Sequence, residues 1–397
     1  MSRTINVEEI QEALREAGLD GWLFYDFHRS DPVAYRVLGL PEGSMASRRW
    51  FYLLPATGTP LKIVHRIEPD SLEPAPGEKR LYAGLAELNT RLDEALRGRK
   101  RVAMQYSPEN AIPYISRVDA GTVETVRARG VEVVSSADLV QSFEATMSAG
   151  QLESHLEAVK ILRETVDLTF SEVRRRLLDG TSVDEYEIQQ FMAAHFTANG
   201  FVYDHPPIVA VNENSGNPHY GPEPGAAKRI SKGDHFLIDL WCKKNTPGAI
   251  YADITWTAFL DTTVPDRNTK VFEVVTGGRD AAARFALESA RAGRSICGWE
   301  VDDVCREFID KQGYGEYFIH RTGHSLGEEV HGNGANIDHF ETRDERKLIP
   351  RTAFTIEPGV YLPEFGVRSE IDLYIGEGGE ARITGEPIQK RLEPILA

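Results

Sequence analysis

Five side chains stand where a folding sequence does not ordinarily place them. Asp239 lies inside the apolar run FLIDLW, Asp253 inside YADITWTAFL, Glu357 inside FTIEPGVYL, and Glu370 directly before IDLYI. His324 occupies the glycine-containing segment HRTGHSLGEEVH. A carboxylate on an apolar strand is costly unless it is paired, protonated or bound to a cation. A single case reads most simply as an edge position or a satisfied ion pair. Four of them with an imidazole read differently, because converging carboxylates repel one another and one or two divalent cations relieve the repulsion. Oxygen ligands with one imidazole suit Mn²⁺, Co²⁺ or Zn²⁺ better than a purely structural zinc site. Two such cations about 3.5–4 Å apart, bridged by carboxylates, can hold a hydroxide between them.

The elements that must position these residues follow from the apolar pattern. In the first part, Asn6 with Glu9 predicts a capping box for a helix carrying Val7, Ile10 and Leu14. WLFYD (22–26) and WFYLL (50–54) predict buried strands, and the arginine-rich stretch between them predicts a loop. A helix in ELNTRLDEALRGR and strands in RVAMQ and VEVV complete an open α/β pattern. The apolar pattern weakens over 141–152, which predicts a boundary between domains 1–148 and 149–397. Beyond it come a long helix from LESHLEAV to RRRLL and a second helix opened by a capping box at Ser182 and Glu185. The apolar runs that carry the acidic residues follow, with helices at about 269–292 and 301–312 between them. Asp239 and Asp253 are 14 residues apart across a segment containing Pro-Gly, which predicts a hairpin with both aspartates on one sheet face.

Composition excludes several classes. The chain has 397 residues, enough for two or three domains, and a net charge of −16. That balance argues against binding to nucleic acid or to an anionic membrane surface. Cys242, Cys297 and Cys305 form no CxxC pair, so neither a disulfide framework nor a thiolate zinc site is indicated. No secretory h-region and no membrane-length apolar run is present, and the expectation is a cytoplasmic protein.

In their order along the chain, LIDLW, YADITWT, HRTGHSLGEEVH, FTIEPGVY and VRSEIDL resemble the metal-ligand motifs of the M24 "pita-bread" metallopeptidases. The resemblance covers about residues 150–397. The preceding part is similar to the creatinase/prolidase N-terminal domain, which points to the prolidase (Xaa-Pro dipeptidase) and aminopeptidase P group. It implies an α/β (α+β) protein with a creatinase-like N-terminal domain and a pita-bread catalytic domain. It implies two divalent metal ions, manganese first and cobalt or zinc next. Asp239 would chelate one, Asp253 and Glu370 would bridge both, and His324 and Glu357 would complete the other. A hydroxide between them would attack the Xaa-Pro carbonyl, and Glu357 would carry the proton to the leaving nitrogen. His219, in GNPHYGP, and His331 would bind substrate and assist catalysis. Arg368 would orient carboxylates, and Tyr361 would be either a neighbouring phenol or a strand aromatic.

Three residues depart from the family pattern: Trp256 where arginine is frequent, and Ser325 and Gly332 in place of a glycine and a glutamate. The ligand pattern does not separate a dipeptidase from an aminopeptidase P acting on longer peptides. A dipeptidase must recognise the carboxylate after proline. Among Arg29, Arg36, Arg48 and Arg49, the resemblance makes Arg48 or Arg49, held by Asp31, a candidate to close the pocket of a homodimer. A non-catalytic peptide-binding relative and a metal-free amidine hydrolase like creatinase are the other readings. The intact ligand set argues against both.

Overall fold

The computed structural model describes residues 5–41, 43 and 46–397. The chain divides into two compact units, 1–144 and 145–397. In the first, the order is α1 (Val7–Glu16), β1 (Gly21–Asp26), α2 (Pro32–Leu38), β2 (Trp50–Pro55), β3 (Leu61–His65), β4 (Glu78–Tyr82), α3 (Leu85–Leu96), β5 (Arg101–Met104), α4 (Ala120–Arg127), β6 (Glu132–Ser135) and α5 (Ala137–Val140). Its six strands form one sheet in the order β4-β3-β2-β1-β5-β6. β2 runs antiparallel to both neighbours, and the other pairings are parallel. Both sheet faces are apolar and covered by helices and loops, so β1 and β2 are buried along their whole lengths.

Asn6 caps α1 by accepting the Glu9 N–H, as its spacing predicts. The loop expected between β1 and β2 instead contains α2. Asp31 accepts the Ala34 N–H at 3.0 Å, Pro32 stands in the first turn, and Gly39 ends the helix at φ 62°. This is the proline-in, glycine-out pattern of a short helix. Asp31 is therefore the buried cap of α2, and Arg48 donates instead to the Ser47 carbonyl and hydroxyl.

The second unit contains α6 (Ala149–Asp179), α7 (Glu185–Ala198), β7 (Phe201–Val202), β8 (Ile208–Val211), β9 (His235–Lys244), β10 (Ala252–Phe259), α8 (Asp266–Arg291) and α9 (Gly298–Lys311). It continues with β11 (Ser325–Leu326), β12 (Thr352–Ile356), β13 (Gly359–Tyr361), β14 (Gly366–Arg368), β15 (Ile371–Ile375), β16 (Ala381–Ile383) and β17 (Glu393–Pro394). One sheet runs β17-β10-β9-β7 with β8 also on β9, a second runs β11-β12-β15-β16, and β13 and β14 form a hairpin. α6 and α7 pack on the first sheet through Leu162, Val166, Ile188 and Phe196, against Ile238 and Ile254. α8 and α9 pack on the second through Val275, Ala282, Val301 and Ile309, against Phe354 and Leu373. The capping box of α7 is Asp184 with Glu187, two residues beyond the predicted Ser182 and Glu185. Glu185 is instead buried, accepting from the Val211 and Lys228 N–H groups and from Tyr220. Among the described residues, no helix is long and apolar enough to cross a membrane.

His235, at the start of β9, ties the two halves of this unit together. Its Nε2 lies 3.0 Å from the Gly366 carbonyl, so Nε2 carries the proton and Nδ1 accepts from Asn268 at 3.3 Å. Burial lowers its pKa to about 4, against the Gly366 carbonyl, which raises it. A group depressed in the folded state contributes stability above its unfolded pKa, here about 6.5, and that contribution is lost as pH falls toward 4. The expected loss over that window is about 3 kcal/mol. Urea unfolding in EDTA at pH 7 and pH 4.5 should show a smaller pH dependence for His235→Gln than for the parent. Equal pH dependence would contradict a neutral buried His235.

Candidate metal centre

The site is built on the β9–β10 ladder. In its register Asp239 faces Thr255 and Asp253 faces Trp241, so Asp239 and Asp253 share one sheet face, as their even spacing predicts. The second sheet meets this ladder edge at its acidic end. The Glu370 N–H reaches the Thr255 carbonyl at 3.4 Å, and the Asp253 N–H donates to Asp372 Oδ2 at 3.1 Å. Glu357 follows β12 directly, and Glu370 directly precedes β15, which is antiparallel to β12. His324 is fixed to β12 in both directions. Its N–H donates to Thr355 Oγ1, its carbonyl accepts from the Thr355 N–H, and the Thr355 hydroxyl donates to Glu357 Oε1 at 3.1 Å. Gly323 makes this approach possible, since a Cβ there would lie 2.0 Å from the Thr355 carbonyl oxygen.

These constraints bring the five predicted ligands together. His324 Nε2 lies 3.3 Å from Glu357 Oε1 and 3.7 Å from Asp253 Oδ2. One ligand atom from each of Asp253, His324 and Glu370 falls within 4.8 Å of the others. Asp239 completes the group through Thr255, whose hydroxyl lies 3.0 Å from Asp239 Oδ1 and 2.8 Å from Glu370 Oε2. Asp239, Asp253, His324 and Glu370 are buried, and Glu357 is partly so.

The electrostatics are those of an anionic cage. Burial, then the charges of Asp239, Glu357 and Asp372, pushes Asp253 well above the carboxylate range. Burial and the same kind of crowding push Glu370 up. Burial raises Glu357 to about 7, opposed by Arg368 and Arg321. Burial and the neighbouring His331 hold His324 far below an ordinary imidazole. Its Nδ1 faces the Ser325 carbonyl at 3.1 Å, so Nδ1 carries the hydrogen and Nε2 turns a lone pair toward Glu357 and Asp253. Asp253 Oδ1 is buried with no hydrogen-bond partner among the described residues. Oxygen donors that repel one another, an orphaned carboxylate oxygen and an imidazole with its lone pair facing inward fit a divalent cation.

Arg368 braces this cage. It donates to Thr255 Oγ1 at 3.1 Å, to the Tyr361 hydroxyl at 3.0 Å and to Asp239 Oδ2 at 2.5 Å. Tyr361 passes its proton on to His320 Nε2 at 2.7 Å, since His320 Nδ1 is committed to the Arg321 carbonyl. Thr255, His320 and the buried Asp372 were not singled out from sequence. Thr255 could have been, as a hydroxyl two residues beyond Asp253 on the same face. His320 and Asp372 take their roles from contacts between distant segments.

His331 is exposed, and its ring stands edge-on to His324 with centroids 4.4 Å apart. His219 is also exposed, is held by its own N–H to Asn217 Oδ1, and is close enough for its charge to act on His331. Arg48 belongs to the N-terminal unit. There it lines an open cavity of about 960 Å³ with Arg49, His65, Tyr82 and Arg117.

Sequence comparison matches metallopeptidase family M24 over residues 153–377, more than half of the chain, and the protein belongs to that family. Among its relatives, the Xaa-Pro dipeptidase of Pyrococcus furiosus is 36% identical over 184 residues. That match spans 45% of this chain and 46% of the relative, about half the length of each. An uncharacterised peptidase of Bacillus subtilis is 32% identical over 267 residues, 64% of this chain and 68% of that one. Among solved structures, the Pyrococcus horikoshii prolidase superposes with a TM-score of 0.63 at 23% identity, covering 97% and 99% of the two chains. The Mycobacterium ulcerans dipeptidase PepE does so with a TM-score of 0.72 at 22% identity, covering 98% and 96%. These likenesses establish the two-domain fold with a pita-bread M24 domain.

Proposed function

We propose that this chain hydrolyses the Xaa-Pro bond of dipeptides, using two divalent cations held by Asp239, Asp253, His324, Glu357 and Glu370. The observation that carries the reading is the His324 Nε2 lone pair facing Glu357 and Asp253 among buried, mutually repelling carboxylates. The substrate class is supported by the similarity to the P. furiosus Xaa-Pro dipeptidase. Manganese is the first choice of metal, with cobalt or zinc as alternatives. When bound, such cations polarise a carbonyl and bring the pKa of water toward neutrality.

The chain's own residues supply the rest. Glu357, held at Oε1 by the Thr355 hydroxyl, would take a proton on its carboxylate and deliver it to the leaving proline nitrogen. Arg368 orients Asp239 and balances its charge. His219 and His331, exposed near one another, hold the peptide. The test compares Ala-Pro with Ala-Pro-Ala in Mn²⁺. Cleavage of the dipeptide alone is expected, and preferential cleavage of the tripeptide would assign an aminopeptidase P instead.

The reading extends to a cytoplasmic homodimer in which Arg48 meets the substrate carboxylate. In support, the Arg48 guanidinium donates to the Ser47 carbonyl and hydroxyl beside an open cavity. Arg48→Ala should raise KM for Ala-Pro about tenfold, the effect of one charge-assisted hydrogen bond of about 1.5 kcal/mol, without changing metal content. Unchanged dipeptide kinetics would remove Arg48 from the site.

A further inference from the structure

Trp241 is a large aromatic residue in the floor of the metal centre that none of the preceding roles uses. It lies two residues beyond Asp239 on the same strand face and directly opposite Asp253 in the β9–β10 register. Directly opposed residues on an antiparallel pair have Cβ atoms about 4.5–5.5 Å apart, so the indole starts beside the carboxylate expected to bridge the cations. The ring is only partly buried. It packs against two separate apolar groups, one containing Tyr251 and Val330 and the other containing Ile208 and Leu237.

A polar contact fixes its orientation. The indole Nε1–H donates to Asp204 Oδ1 at 2.6 Å. Burial raises the Asp204 carboxyl, but the hydrogen bond from Trp241 and those from His205 overcome this and hold it below the ordinary range. Asp204 also meets Tyr251 through its backbone and acts by its charge on His331. An indole clamped between two apolar groups and tied at its nitrogen has few rotamers left. It is a rigid wall rather than an adaptable surface.

We infer that Trp241, locked by Asp204, limits the size of the residue that precedes proline. The inference rests on the function proposed above and deepens it. The α-ammonium of a dipeptide is drawn to the carboxylates of the centre, which sets its first residue over the β9–β10 ladder. The side chain of that residue then meets the indole face, and small side chains fit where Leu or Phe collide. Trp241 and Asp204 are positioning residues, since neither reaches the reacting atoms.

The test compares kcat/KM for Gly-Pro, Ala-Pro, Leu-Pro and Phe-Pro in Mn²⁺, with metal content measured in each protein. The parent should prefer Gly-Pro and Ala-Pro. Trp241→Ala should raise the Leu-Pro to Gly-Pro ratio at least tenfold. Asp204→Ala, which frees the ring without removing it, should raise the ratio less and in the same direction, and it keeps the test available should Trp241→Ala not fold. An unchanged ratio in a metal-loaded, folded variant would overturn the inference and leave the proposed function standing. A parent that cleaves none of the four dipeptides would overturn both.

Discussion

Replacing Asp253 with asparagine is expected to stabilise the metal-free protein while abolishing its response to metal. The parent carboxylate is buried, has an oxygen without a hydrogen-bond partner among the described residues, and is crowded by Asp239, Glu357 and Asp372. A group whose pKa is raised in the folded state contributes most at low pH, and that contribution is lost as pH rises above its unfolded value, about 3.9. At pH 7 to 8 the metal-free parent therefore carries the cost of protonating or crowding this site, and the neutral amide of the variant does not. The unfolding free energy of Asp253→Asn in EDTA should exceed that of the parent by about 1–3 kcal/mol, the scale of a poorly compensated buried charge. The gap should close toward pH 4. With Mn²⁺ at about 100 times its dissociation constant the parent gains about 2.7 kcal/mol, and the variant should gain almost none. Hydrolysis of Ala-Pro should fall by at least about 10²–10³-fold, as when one preorganised electrostatic group is removed. Calorimetry with and without metal, beside the rate, checks all three. A variant that keeps the metal-induced shift in Tm would place the cation elsewhere.

That prediction rests on residues the sequence exposes by their incongruity. A charged group in an apolar strand is visible without any structure, and an even separation across a hairpin survives insertions that keep the ladder in register. Asp239 and Asp253 meet both conditions, so their common face was legible. Glu357, Glu370 and His324 were legible by type, but their convergence depends on a second sheet meeting the first. The bonds that fix it, Glu370 to Thr255 and Asp253 to Asp372, join segments over 100 residues apart. Trp241 reads from sequence as one more apolar strand residue, because its partner Asp204 lies in a loop. α2 was missed for a different reason. A helix of seven residues has almost no periodicity to detect, and only the Asp31-Pro32 start and the Gly39 stop mark it.

Arg368 is where the cage depends most on a single side chain, and Arg368→Met should cost about 3–5 kcal/mol in the metal-free protein, as expected for removing one partner of a buried pair. Arg368 is 3% exposed, and its guanidinium meets Thr255, Tyr361 and Asp239 at once. Burial works against its charge, yet Tyr361, Asp239 and Glu357 together hold that charge firmly. Its Nε–H also fills one lone pair of the Thr255 hydroxyl, so the single Thr255 proton is left to serve Asp239 or Glu370. Methionine fills much of the volume but leaves Asp239 charged, buried and without its cationic partner. Lysine keeps a charge but cannot present three donors in one plane, so Arg368→Lys should recover only part of the loss. The double variant Arg368→Met with Asp239→Asn should recover part of it, because Asp239 then leaves no buried charge without its partner while Arg368 no longer offsets Glu357. Urea unfolding of the four proteins in EDTA gives the comparison. A single Arg368→Met within about 1 kcal/mol of the parent, the upper range for an exposed pair, would mean that solvent rather than Arg368 balances Asp239.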